Sequence, residues 1–277
     1  MTETLALVRD PVRDPLTQAI RLRDGRALGF AQFGPVTGLP VFFFHGGGSN
    51  RLTRHPDDSI LDAYGVRLIT VDRPGVGLSD PHPGRILLDW PDDVVQLADS
   101  LDIDLFTVLG WSAGGPHALA CAYKIPHRLR TVGVMSGLAP LHWPGLTPLV
   151  ASLGLRLPAS AMSRIWHRIV TPDASPRHAT PREIRAVHRQ RLRDIVRARE
   201  KERARELAML ARPWGFRLQD VTTRVHLWYG SRDATTPLYM AAFLKRALPF
   251  ATLYVWPNEG HHVGFTHWRE IVSALVG

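Results

Sequence analysis

The sequence predicts an α/β protein: a mostly parallel sheet covered by helices on both faces and interrupted once by an inserted helical cap. Three observations lead there. Short apolar runs rich in β-formers alternate with stretches of helical spacing, the pattern of strands joined by crossover helices. The runs Val41-Phe42-Phe43-Phe44 and Leu105-Phe106-Thr107-Val108-Leu109 are almost unbroken, as strands buried on both faces should be. Between 139 and 213 the alternation stops, with no convincing strand, and afterwards it resumes.

Taken in order, residues 1–16 hold Asp-Pro twice (Asp10-Pro11 and Asp14-Pro15) and read as a loose leader. Segments 18–22 and 27–33 flank Asp24-Gly25, a dipeptide that tolerates the turn of a tight hairpin. After a Gly/Pro-rich loop, 41–44 is a central strand ending at His45-Gly46-Gly47-Gly48. A short helix is expected near 57–64, then a strand at 66–71 that stops at Asp72-Arg73-Pro74-Gly75. Helical spacing over 90–101 carries Pro91 in its first turn and Asp92 and Asp93 at the positive dipole end. Next come the strand at 105–109, a helix to about 123 and a strand at 131–135. In the cap, prolines 140, 144, 148 and 158 break up the first half, and Pro181 opens a helical run to about 210. The remaining elements are a strand at 225–229, a helix at 238–247, a strand at 252–256 and a terminal helix from about 266. Residues 1–138 and 214–277 thus form one core, with 139–213 inserted as a cap.

Composition bounds the function. A chain of 277 residues, 45% hydrophobic and 21% charged, suits one large α/β domain with an insertion. No apolar run approaches the length of about 18 residues that a membrane span needs, so no stable membrane insertion is expected. The N-terminus lacks a basic stretch and an apolar core, so no secretory signal is expected. Cys121 is the sole cysteine, which excludes an intrachain disulfide or a cysteine-held zinc. Cytoplasmic residence is the simplest expectation. The net charge of +9 is concentrated: Arg177 to Arg212 holds twelve Lys/Arg against five Asp/Glu. Their Glu/Arg spacings are those of a solvated, self-paired helix, and nucleic acid is not an expected partner. Oligomeric state is left open.

In a parallel sheet, functional groups gather beyond the carboxyl ends of the strands. Here those ends carry His45-Gly46-Gly47-Gly48, Gly110-Trp111-Ser112-Ala113-Gly114, Gly230-Ser231-Arg232-Asp233 and Gly260-His261-His262. The second is a G-x-S-x-G pattern between a strand and a small-residue helix, the context of a sharp elbow that lifts a serine above the sheet. A serine, an acid and a histidine follow in chain order. With Asp72-Arg73-Pro74-Gly75-Val76-Gly77-Leu78-Ser79, these stretches make the chain resemble the α/β-hydrolase fold family outside the cap. The esterase and proline-iminopeptidase-like branch is the most similar part of it.

The resemblance implies an eight-stranded sheet with Ser112 as nucleophile, His261 as its general base and Asp233 as the group that orients the imidazole. The family places the histidine directly after glycine, which favours His261 over His262. The oxyanion donors are expected to be the amides of Ala113 and Gly47. His45 is expected to order the oxyanion loop, and Asp72 and Arg73 to lock their turn as an ion pair. Trp111, Leu141, Trp143 and Trp166 are candidates for lining the substrate pocket. Trp214, Leu149 and Met162 join them, with cap-to-core packing as the alternative for the cap residues.

The expected activity is cleavage of a small-to-medium carboxylic ester, with neither cofactor nor metal. Amide hydrolysis is the nearest rival, although a basic cap is ill suited to holding a substrate's free amine. Lactone or C–C bond hydrolysis would use the same residues. Serine in place of a carboxylate nucleophile argues against dehalogenase and epoxide hydrolase chemistry. Outside enzymes, a ligand-binding pseudoenzyme or receptor would keep the same fold.

Overall fold

The computed structural model describes residues 16–140 and 200–277. The expected hairpin is strands β1 (Gln18–Arg21) and β2 (Ala27–Phe33), antiparallel with Gln18 opposite Phe30. Strands β3 (Leu39–Phe44), β4 (Val66–Val71), β5 (Phe106–Trp111), β6 (Leu129–Met135), β7 (Val225–Gly230) and β8 (Ala251–Trp256) complete the sheet. The spatial order is β1-β2-β4-β3-β5-β6-β7-β8. β2 runs antiparallel to β4, and every pairing from β4 to β8 is parallel.

Strand periodicity of two divides the apolar residues between two cores. In β3, Phe42 and Phe44 belong to one core and Val41 and Phe43 to the other. The first core is closed by helices α2 (Trp90–Ser100), α3 (Gly114–Lys124) and α5 (Leu238–Ala247). The second is closed by α1 (Ser59–Ala63) and the terminal α6 (Trp268–Val276). Each fully buried phenylalanine of β3 contributes about 1.5–3 kcal/mol by removal from water. A chain that hides both faces of its sheet in this way has its carboxyl-end loops free for chemistry.

Helix α4 (Glu200–Leu210) is the described end of the expected cap; 141–199 lie outside the described residues. Here the expectation of a solvated, self-paired helix is corrected. Arg205 does pair with Glu202 three residues before it, but Glu202 and Glu206 are both buried. Glu206 faces the core, where a guanidinium compensates its burial. Among the described residues no helix is long and apolar enough to cross a membrane.

Candidate active site

The elbow joins β5 to α3. Ser112 sits directly after β5 with φ of +55°, a left-handed conformation that costs a non-glycine residue on the order of 1–3 kcal/mol. The surroundings hold it there. Its N–H donates to the Met135 carbonyl at 2.9 Å, and its own carbonyl accepts from Gly115 N at 3.0 Å and Leu138 N at 3.3 Å. The flanking glycines permit the close passage that this requires. A Cβ on Gly110 would stand 2.3 Å from the Gly114 carbonyl oxygen, and one on Gly114 only 2.0 Å from that of Phe44. Ala113 occupies the N-cap of α3, where the first-turn amides have no intrahelical acceptor.

The acid and the histidine meet on the loops after β7 and β8. His261 Nδ1 lies 2.9 Å from Asp233 Oδ2. The same carboxylate accepts the amides of Thr235 at 2.8 Å and Thr236 at 2.9 Å, and the Thr236 hydroxyl at 2.6 Å. Burial raises the Asp233 pKa, but the hydrogen bonds and charge of His261, together with the Thr236 donors, outweigh it and hold the carboxyl below its usual value. An ionised Asp233 fixes the Nδ1–H tautomer and leaves Nε2 as the free base. Among the described residues, Nδ1 of that imidazole hydrogen-bonds with Asp233 and Thr236. What ties the elbow strand to the histidine loop is Trp111, whose indole N–H donates to the His261 carbonyl at 3.1 Å.

The loop after β3 is heavily pinned. The Gly46 carbonyl lies 2.9 Å from His45 Nδ1, and accepts from Ser49 N at 3.2 Å and from Arg73 Nη2 at 3.3 Å. His45 is buried, and burial, then the neighbouring Arg73 charge, push its pKa well below the usual value. A neutral imidazole with Nδ1–H as donor suits this position, and the ring orders the loop as expected.

The family model of the alpha/beta hydrolase fold matches residues 40–165. A solved esterase from Exiguobacterium antarcticum superposes with a TM-score of 0.72 at 19% identity, over 93% of this chain and 97% of its own. The chain has the α/β-hydrolase fold. Among curated proteins it is similar to the pimeloyl-[acyl-carrier protein] methyl ester esterase of Legionella pneumophila (strain Paris), 24% identical over 86% of this chain and 94% of that protein. It is also similar to YcgS of Bacillus subtilis (strain 168), described as an uncharacterized hydrolase. That match is 32% identical over 45% of this chain, and spans only 42% of the Bacillus protein.

The fold refines three of the expectations. Trp111 is only 2% exposed, packed on Gly46, His261, His262 and Phe265. It braces the histidine loop. Trp214 is buried in the first core and donates to the Leu210 carbonyl, so it packs. Asp72 and Arg73 do lock buried structure, but not with each other: Asp72 pairs with Arg51 at 2.9 Å and Arg73 with Glu206. Leu141, Trp143, Trp166, Leu149 and Met162 lie outside the described residues. Among the described residues, no group of three or more His, Cys, Asp or Glu could hold a metal ion.

Two contributors were not singled out from the sequence. The Thr236 hydroxyl sits 3.0 Å from the Ser136 carbonyl and 3.3 Å from His261 Nδ1 besides touching Asp233. Glu206 was one acid among several in a basic helix.

Proposed function

We propose that this protein is a serine hydrolase that cleaves a small-to-medium carboxylic ester through an acyl-enzyme intermediate. The carrying observation is that the left-handed Ser112 and the Asp233–His261 pair all follow carboxyl ends of strands in one parallel sheet, and that the Trp111–His261 hydrogen bond ties the elbow strand to the histidine loop. That the Legionella relative aligned over most of the chain is a methyl ester esterase supports an ester as the substrate.

Ser112 Oγ attacks the ester carbonyl carbon while His261 Nε2 takes its proton. The negative oxygen of the tetrahedral intermediate is held by the amides of Ala113 and Gly47. Collapse breaks the C–O bond to the alcohol, which leaves with the proton from His261. A water then gives its proton to His261 and attacks the acyl carbon. The carboxylic acid departs, and the proton returns to Ser112. Throughout, Asp233 stays ionised and stabilises the imidazolium without accepting its proton.

The test is a panel of p-nitrophenyl esters and anilides graded by acyl length, with three variants. Ser112→Ala and His261→Ala should each lower kcat by about 10⁶, whereas His262→Ala should keep most activity. Turnover of anilides in preference to esters would reassign the bond cleaved. Equal activity of Ser112→Ala and the parent would remove the proposal.

A further inference from the structure

The buried guanidinium of Arg73 has two working edges. One engages the Glu206 carboxylate, through Nε to Oε1 and Nη2 to Oε2, the latter at 3.1 Å. The other reaches the loop after β3, through Nη1 to the His45 carbonyl and Nη2 to the Gly46 carbonyl at 3.3 Å. Arg73 is fully buried and Glu206 only 6% exposed, so the pair lies in a low-dielectric environment where its geometry is well determined. Arg85 Nη2 at 3.5 Å and His117 Nε2 at 3.8 Å complete the surroundings of the Glu206 carboxylate.

The consequence follows from peptide geometry. The Gly46 carbonyl and the Gly47 N–H belong to one planar trans peptide, and point in opposite directions. Whatever fixes the carbonyl aims the amide. We infer that Arg73 and Glu206 are positioning residues that aim the Gly47 N–H, the oxyanion donor of the proposed mechanism, from the far side of its own peptide bond. Glu206 stands on α4, so the donor's direction is set in part by the placement of that helix. This inference rests on the ester-hydrolase reading for its kinetic consequence, but not for its geometry. Neither residue touches substrate. Their effect passes through the peptide, where misdirection of a donor by a fraction of an ångström costs roughly 10- to 100-fold in rate.

The experiment compares the parent with Glu206→Gln, which keeps shape but loses charge and the bidentate contact, and with Arg73→Lys as an independent variant. For each, kcat and KM for a p-nitrophenyl ester are measured beside the inhibition constant of a trifluoromethyl ketone, which forms a tetrahedral oxyanion on serine. The expected result is kcat lower by roughly 10- to 100-fold with KM nearly unchanged, and the ketone's inhibition constant weakened by the same factor. Glycine-selective ¹⁵N spectra of the same variants, and of Ser112→Ala carrying Glu206→Gln, should show a displaced Gly47 amide resonance. An unmoved Gly47 resonance in the folded variants overturns the inference, as does a fall in kcat that the ketone's affinity does not follow. If the parent protein turns over no ester, the ester-hydrolase reading fails, and the spectra alone then decide the geometric claim. If Glu206→Gln does not fold, as judged by circular dichroism, the Arg73→Lys spectra and kinetics carry the same two outcomes.

Discussion

Thr236 has one hydroxyl proton and two acceptors within reach, Asp233 Oδ2 at 2.6 Å and the Ser136 carbonyl at 3.0 Å. The shorter contact is to a buried carboxylate, and a hydrogen bond to a charged group contributes about 1.5–3 kcal/mol. Thr236→Val should therefore destabilise the fold by about that amount in urea titration and lower kcat, while Thr236→Ser should restore both; a silent Thr236→Val would show that the carboxylate is held by its other donors alone. Asp233→Asn should lower kcat by about 10⁴, since the amide favours the wrong imidazole tautomer. Ser112, Asp233 and His261 could be picked out in the sequence because each follows a strand end and carries distinctive neighbours. Thr236 could not, because its role depends on Ser136, a hundred positions earlier in the chain, arriving at the same corner. Glu206 was hidden for the same reason. Its helix repeats Glu and Arg, and nothing local marks which acid turns inward to meet Arg73.

At the scale of elements, the strand-and-helix alternation was almost fully legible, since each strand of the parallel sheet is an apolar run bounded by turn residues. The elbow offers the sharpest test of that layer. A methyl group on Gly114 would enter the Phe44 carbonyl at 2.0 Å, whereas one on Gly25 meets nothing within 4 Å and bears only the strain of a φ of +87°. Gly114→Ala should thus cost about 1–3 kcal/mol or more by overpacking, and should displace Ser112. Gly25→Ala should cost about 1–2 kcal/mol from its backbone alone and leave activity intact. Thermal unfolding and esterase rates separate the two; equal rates in both variants would mean that the elbow tolerates displacement. The helix α4 marks where legibility ended. Its charge pattern reads as surface, and only the packed fold shows Glu202 and Glu206 buried.

For the whole molecule, buried histidines set the acid limit of stability. Burial first, and then the Arg73 charge, push His117 down to about 3, against the pull of Glu206, while His45 is likewise held well below its usual value. Both are neutral in the folded protein but protonate in the unfolded chain near pH 6.5. The unfolded state thus binds more protons below that pH, and stability falls on acidification, over the interval from about 6.5 to about 3 for His117, by up to about 1.4 kcal/mol per pH unit for each group. Glu206 adds to this trend at lower pH. Arg73, Arg85 and His117 overcome the effect of its burial and hold its carboxyl below the ordinary range, so its stabilisation is present above the unfolded pKa and lost as pH falls. Urea unfolding at pH 7.5, 6 and 5 should show a steady decline, whereas a flat profile would mean that these histidines are protonated in the fold. The central claim is that this molecule exists to present one activated serine. Treatment of the folded protein with a fluorophosphonate, followed by peptide mass mapping, should place a single covalent adduct on Ser112 that disappears in Ser112→Ala; folded protein that stays unlabelled, or an adduct that survives the substitution, would contradict it.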